Sequence, residues 1–388
     1  MGKPMPLLSN KGKSFQGSIV LGKGFVLSSE QAEKLIKKDP RNKDVIFPYL
    51  NGDDLNNDPE QKPSRWVINF FDWDEEKAKT YPDCYEIVEK LVKPERQRWK
   101  KDDEGNEIIG TYALRKPLPQ KWWIYGEKRP ALYNTISELD QVMVIPLVSK
   151  YSLFEFSYTN TVFMHKLGVI VLNDFRNFAI LSSSIHSIWC WKYSSTLGSG
   201  TLNYSTTDCF ENYPFPKNNI LIENIGKQYY EYRKNLLLIS GLGLTKISNL
   251  FHTKGIQKDI DPKDNHVLHL KKHLQKTSST DSYKFVIEGI IELRKLYVQM
   301  DQAVIDIYEW KDIQLNHGFY ELEYLPENDR VRFSIDPAAR KEILKRLLLL
   351  NLQQYNEESK FDTSDKNVGK KRSKSVPKTS NITLFPED

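Results

Sequence analysis

Cysteine is nearly absent from this chain: Cys84, Cys190 and Cys209 are the three in 388 residues. That excludes a disulfide framework and a CxxC metal knuckle, and it fits the reduced thiols of a cytoplasmic protein. Long hydrophobic runs are missing as well. No stretch approaches the roughly 20 apolar residues of a membrane span, and the first residues carry no signal-peptide core. A cytoplasmic protein with no membrane segment is therefore expected. Nor is there a large excess of one charge: 56 Lys and Arg oppose 51 Asp and Glu, a formal +5. Were nucleic acid the partner, that small surplus would have to be focused in a cleft.

The usual reaction signatures are missing too. Three glycine pairs, Gly22/Gly24, Gly198/Gly200 and Gly241/Gly243, each begin a GxG, but the third glycine of a dinucleotide fingerprint would fall on Leu27, Asn203 or Lys246. These glycines fit turns and helix ends better. There is no P-loop and no Gly-x-Ser-x-Gly elbow. His266, His269 and His273 could share one helical face, yet no carboxylate or HExxH arrangement stands beside them. Pro82-Asp83 precedes Glu86 and Glu89, but with helical spacing and without the acidic-x-Lys triplet of a nuclease centre. Asn51-Gly52-Asp53-Asp54 suits a turn more than a magnesium site.

Aromatics, by contrast, are plentiful, with 8 Trp, 20 Tyr and 18 Phe. A length of 388 residues allows two domains, each able to bury a core. Up to Pro216 the pattern is one of short strands and turn signals. Residues 18–21 and 25–27 around Gly22-Lys23-Gly24 predict a hairpin, and Ser28 with Gln31 three residues on predicts a capped helix ending before Asp39-Pro40. Strands are expected at 65–70, 141–148, 153–158 and 166–172, and a helix over 177–192. Pro214-Phe215-Pro216 makes a rigid exit. Beyond it, Leu221, Ile225, Tyr229, Tyr232 and Leu236 mark one helix face. Ile290, Leu293, Tyr297, Met300, Val304 and Ile307 have the three-four spacing of a lengthwise helical seam. A long polar connector separates these two helices. Asp336-Pro337 opens a last amphipathic helix through Leu350. The expected fold class is α+β: a β-rich domain over 1–216, a helical hairpin and terminal helix over 217–355, and a basic, disordered tail over 356–388.

Polar and aromatic clusters fall on the expected loop edges. Lys121-Trp122-Trp123 and Glu127-Lys128-Arg129-Pro130 precede the central strand, which leads into Ser149-Lys150-Tyr151. The following helix runs into Lys192-Tyr193-Ser194-Ser195-Thr196, and residues 201–204 come next. Cations beside Ser, Thr and Tyr hydroxyls are the donors that grip phosphates, and loop polar groups can read base edges. Taken singly, each of these residues fits a core or helix-end role better.

Longer strings add specificity. Residues 48–56 (Pro-Tyr-Leu-Asn-Gly-Asp-Asp-Leu-Asn) followed by 64–70 (Ser-Arg-Trp-Val-Ile-Asn-Phe) resemble one family. It is the carboxy-terminal region of the adenine-specific DNA methyltransferases of fused, type IIL-like restriction–modification enzymes, with relatives in phage defence. Residues 127–130, 149–150, 192–197, 208–211 and 214–216 carry the same resemblance, as do Leu293-Arg294, Met300-Asp301, His317-Gly318-Phe319 and 340–350. Together they cover roughly residues 14–355.

The resemblance implies a target recognition domain followed by a helical segment. Such a region grips double-stranded DNA and selects a short site, so that a neighbouring domain can flip out an adenine and methylate it from S-adenosylmethionine. The family's Asn-Pro-Pro-Tyr/Phe tetrapeptide and cofactor glycine motif are absent, as is a nuclease domain, and Met1 begins just ahead of the recognition domain. No cofactor is therefore expected on this chain, S-adenosylmethionine being expected on a separate methyltransferase catalytic subunit, with which the helical hairpin would dock. Matched to the family motifs, Arg129, Lys150, Lys192, Ser194, Ser195 and Thr196 are the expected phosphate grips. Ser152, Glu155, Tyr158 and Asn203 are the expected base readers. Two other readings fit the same residues: a truncated methyltransferase remnant without activity, and a protein-interaction scaffold reusing the fold.

Overall fold

The computed structural model describes residues 2–198, 200–217, 220–257, 263, 265–274 and 282–368. One antiparallel sheet orders Ser14–Gln16 (β1), Leu167–Ile170 (β11), Gln141–Pro146 (β7) and Glu155–Tyr158 (β9). A second orders Val162–Phe163 (β10), Ile46–Leu50 (β3), Arg65–Ile68 (β4) and Val26–Ser28 (β2), with β10 parallel to β3. A small third sheet orders Ser195–Leu197 (β12), Thr201–Asn203 (β13) and Val148–Ser149 (β8). Two hairpins pair Trp99–Lys101 (β5) with Glu107–Tyr112 (β6), and Gly318–Glu321 (β14) with Val331–Ser334 (β15).

Helices of the first part are Ser29–Lys38 (α1), Gly52–Asn57 (α2), Glu75–Lys79 (α3), Pro82–Leu91 (α4), Lys93–Arg96 (α5), Pro130–Ile136 (α6), Phe175–Ser182 (α7) and Ser184–Tyr193 (α8). The remainder are Glu223–Ser240 (α9), Leu244–Phe251 (α10), Asn265–Leu274 (α11), Ser282–Ile307 (α12) and Pro337–Val368 (α13). The fold is thus α+β, with helices dominating beyond Pro216.

Local chemistry explains much of this order. In α1, Ser28 Oγ accepts from Gln31 N at 3.1 Å while Gln31 Oε1 accepts from Ser28 N at 2.9 Å, a closed capping box. Asn51 and Asp54 build another at α2, so the Asn-Gly-Asp-Asp string is a helix start. Asp336 Oδ1 accepts from Ala338 N at 2.8 Å and Ala339 N at 3.2 Å to open α13. Gly241 closes α9 in the left-handed region at φ 63°, where a residue without Cβ is unstrained.

The strand β7 is the dividing wall of the molecule. Its Val142 and Val144 face one core with Leu50, Leu55, Leu167 and Val169. Its Met143 and Ile145 face another, shared with α7, α8, α9, α12 and α13. Both faces are buried, which is why the sequence here is continuously apolar instead of alternating. A third core lies under β2, β3 and β4 and takes Trp122 and Trp123. The long helices pair as their spacing predicts: Tyr229 of α9 meets Tyr297 of α12 at 5.7 Å between ring centroids. A Cβ on Gly226 would lie 2.2 Å from the Phe175 carbonyl oxygen, so glycine is what lets α9 cross α7 this closely.

Several expectations need correction. The hairpin at 18–27 does not form. Ser18 and Ile19 bridge to Met164 and Glu127, and residues Lys23–Phe25 make a 3-10 turn against Leu91 and Val92. The carbonyls a hairpin would have used go to buried Arg96, whose guanidinium donates to Leu21 O at 2.7 Å and Val20 O at 3.0 Å. The helix expected over 177–192 breaks at Ser183, whose side chain caps α8. The connector between α9 and α12 holds α10 and α11. Finally, α13 runs on to Val368, so residues 356–368 are helical, while 369–388 lie outside the described residues.

Candidate nucleic-acid interface

Four of the expected contact residues meet on the small sheet. Its register sets Ser195 opposite Asn203, Thr196 opposite Leu202, and Leu202 opposite Ser149, which leads directly into Lys150. Leu202 is buried and anchors the sheet, while Ser195, Thr196 and Leu197 are exposed. Asn203 Nδ2 donates to Ser195 Oγ at 2.9 Å, which orients both side chains across the pair. Ser194 Oγ accepts from Ser205 N at 3.2 Å and so closes the base of the hairpin. Lys192, at the end of α8, is exposed and makes no ion pair among the described residues. The result is a polar sheet with a free cation at one end.

Lys150 is differently placed. Its ammonium pairs with Asp329 Oδ2 at 2.7 Å and lies 5.7 Å from the Tyr151 ring centroid. Asp329 also holds Arg332, whose guanidinium lies 4.7 Å over that same ring. This arrangement fastens the small sheet to the β14–β15 turn, far away in sequence. Beneath it Tyr151 stacks on His252, with centroids 5.1 Å apart and 11° between planes. Burial pushes His252 well below its ordinary value, and the nearby Arg332, Arg294 and Lys150 push the same way. Ser152 Oγ donates to Ser187 Oγ at 3.3 Å at the edge of a cleft that Trp191, Arg233 and Arg332 also line.

The remaining expected contacts lie elsewhere. Glu155 is a correction: it is 2% exposed and ion-paired with Arg233, so it cannot reach a base edge. Burial raises its carboxyl above the ordinary range, against the opposing pull of that guanidinium. Tyr158 is 73% exposed on β9, an edge strand of a different sheet. Arg129, the residue before α6, is left-handed at φ 57° and donates to Gln16 Oε1 at 3.1 Å and Gly17 O at 3.3 Å, pairing also with Glu127 at 2.7 Å.

Two features escaped the sequence reading. The β5–β6 hairpin stands out from the body with Arg98, Lys100, Lys101, Arg115 and Lys116 exposed along its shaft, and Trp99 stacked on Tyr112 at 4.8 Å. Its turn, Asp-Asp-Glu-Gly-Asn, was the available signal. The second is a buried group. His186, Cys190 and Cys209, scattered in sequence, come together in the core and are the one set of described side chains placed to hold a metal. As for the earlier histidine trio, α11 carries it, but the side chains of His266, His269 and His273 lie outside the described residues.

A module of small sheets interleaved with short helices, with a polar sheet at one end and long helices completing its core, is the class of protein these features define. The family model for the MmeI target recognition domain matches residues 8–217, more than half of the chain, and the chain belongs to that family. Among solved structures, the type IIL restriction–modification enzyme MmeI in complex with DNA aligns at 14% identity with a TM-score of 0.50. That alignment covers 91% of this chain and 36% of the enzyme, so the chain spans about a third of its length, and at this identity the likeness concerns the fold. No curated protein matches. Among the described residues no helix is long and apolar enough to cross a membrane.

Proposed function

We propose that this chain selects a short sequence in double-stranded DNA for an adenine-specific methyltransferase of the restriction–modification or phage-defence kind. The catalytic residues and S-adenosylmethionine would belong to a separate subunit. The observation that carries the reading is the small sheet: exposed Ser195 paired with Asn203 on one face and exposed Thr196 on the other, flanked by the free ammonium of Lys192, on a chain of the MmeI target recognition domain family. A two-stranded ribbon such as β12–β13 fits the major groove, where a hydroxyl and an amide can accept and donate to base edges. Lys192 would supply a phosphate contact that fixes register without reading sequence. A pool of random duplexes, selected on the purified chain and sequenced, tests this directly. Enrichment of one short motif supports it, and a flat pool sinks it. Thr196→Val and Asn203→Asp should then change which bases are enriched. Lys192→Ala should weaken binding to every duplex and reduce the salt slope by about one. The methylation half is tested separately by modified-base sequencing of host DNA with and without the gene: loss of one methyl-adenine motif supports it, an unchanged pattern overturns it.

A further inference from the structure

His186 and Cys190 lie one helical turn apart on α8, so both side chains leave the same face. Cys209 comes from the following turn of π-helix, Thr206–Glu211, whose Cys209 carbonyl is pinned by Trp189 Nε1 at 3.1 Å. All three are fully buried. The Cys209 and Cys190 sulfurs are 3.5 Å apart, and Cys190 Sγ lies 3.5 Å from His186 Nδ1 and 3.6 Å from Nε2. One ligand atom from each of the three lies within 4.8 Å of the other two. With zinc–sulfur near 2.3 Å and zinc–nitrogen near 2.0 Å, the edges of a tetrahedral site are about 3.8 Å between sulfurs and about 3.5 Å from sulfur to nitrogen. The sulfur–sulfur spacing found here is close to that, while Cys190 Sγ, nearly equidistant from the two ring nitrogens, has to swing toward Nε2 to share a metal with it.

The tautomer is right as well. His186 Nδ1 lies 2.9 Å from Leu181 O, and a carbonyl only accepts, so Nδ1 carries the proton and Nε2 keeps its lone pair. A histidine ligand oriented through its other nitrogen by a backbone carbonyl is the ordinary arrangement at a metal. The Tyr204 hydroxyl is the candidate for a fourth donor. It is buried, finds no hydrogen-bond partner among the described residues, and has Cys209 and Cys190 as polar neighbours. An orphaned hydroxyl beside two thiols is costly unless something binds it.

We propose that His186, Cys190, Cys209 and Tyr204 form a structural zinc site. Binding would release the two thiol protons to solvent, and two thiolates with Zn²⁺, neutral imidazole and neutral phenol sum to zero charge, which a fully buried site tolerates. Soft thiolates favour zinc over the hard alkaline-earth ions. The site would clasp α8 to the π-helical turn, and these two elements bracket the β12–β13 hairpin that carries Ser195, Thr196 and Asn203.

The test is metal analysis of the full chain, expressed with zinc in the medium and purified without chelator, followed by anaerobic replacement with Co²⁺. Close to one zinc per chain is expected in the wild type and in Cys84→Ser, whose thiol sits in a different core. Cobalt should then give tetrahedral d–d bands and a thiolate charge-transfer band. Cys190→Ser and Cys209→Ser should lose both, and Tyr204→Phe should keep the charge-transfer band but surrender metal to a chelator sooner. If the cysteine variants fail to fold, the cobalt spectrum of the wild type decides alone, because that band reports sulfur ligation. A wild type that takes up no zinc or cobalt overturns the site. So does a Cys190–Cys209 disulfide, and a Tyr204→Phe variant that holds metal as tightly as wild type overturns the fourth ligand. None of these readouts needs DNA.

Discussion

Single residues here divide sharply between surface reading and buried support. Glu155 and Arg233 form a buried ion pair, with Arg233 also donating to Phe154 O at 2.7 Å. Removing one partner strands the other in the core, so Glu155→Ala should cost about 3–5 kcal/mol in urea denaturation while leaving DNA sequence preference in the surviving folded protein unchanged. A shifted preference would return Glu155 to the reading surface. His252 offers a pH test. Its folded value is depressed below the ordinary 6.5, so folding stability is complete above about pH 6.5 and is lost as pH falls through and below it, where the unfolded imidazole charges first. His252→Phe should flatten the stability profile between pH 7 and about 5 relative to wild type. An unchanged slope would mean that the ring is hydrated in solution.

At the scale of elements, buried cations take over the work of caps and ladders. Arg294 of α12 donates to Phe251 O at 2.9 Å, Thr253 O at 2.9 Å and Leu250 O at 3.2 Å, and so closes the end of α10. Arg294→Met keeps the apolar stem but orphans those carbonyls. A loss of about 2–4 kcal/mol in denaturation, with faster hydrogen exchange confined to α10 and the turn after it, is expected. Gly226→Val should destabilise comparably by forcing α9 off the Phe175 carbonyl, which thermal melting would detect. Asp301 of α12 accepts from Ser184 N at 2.8 Å and from His317 Nε2 at 2.7 Å, tying α8, α12 and the approach to β14 together. These contacts give physical content to the Leu293-Arg294, Met300-Asp301 and His317-Gly318 strings.

Elements with strong local signals were legible in the sequence: the Ser28 and Asp336 caps, the apolar run of β7, the heptad-like seam of α12. What failed were features set by distant partners. Nothing near residue 20 announces that Arg96 will take its carbonyls, and nothing near Glu155 announces Arg233. The motif order did place Lys192, Ser194, Ser195 and Thr196 in one segment, but only the register of β12, β13 and β8 shows that Asn203 and Ser149 join them. The histidine and cysteines of the core were invisible because 19 residues separate Cys190 from Cys209.

At the scale of the whole molecule, the division into a recognition part and a helical part is one of sequence more than of packing. Met143 and Ile145 share a core with Leu236, Ile290, Val304 and Leu347. The first residues are also held by the last helix, since Asn351 exchanges hydrogen bonds with Met5 N and O, both at 2.8 Å. A fragment ending at residue 217 would therefore lose α9, α12 and α13 from that core and uncover the faces of α7 and α8 that pack on them. It should bind a hydrophobic dye and lose its cooperative melt, while the chain to residue 368 melts in a single transition. A fragment that melted cooperatively would show that the shared core is dispensable.

The small sheet hangs from the end of that doubly buried strand through Leu147, and its outward positions support nothing beneath them. Side chains at Ser195 and Asn203, on the face opposite buried Leu202, can therefore be exchanged without disturbing the packed interior that holds them in place. A module built this way can drift from one preference to another by single substitutions, each nearly neutral to folding. Its scaffold stays rigid while its vocabulary changes.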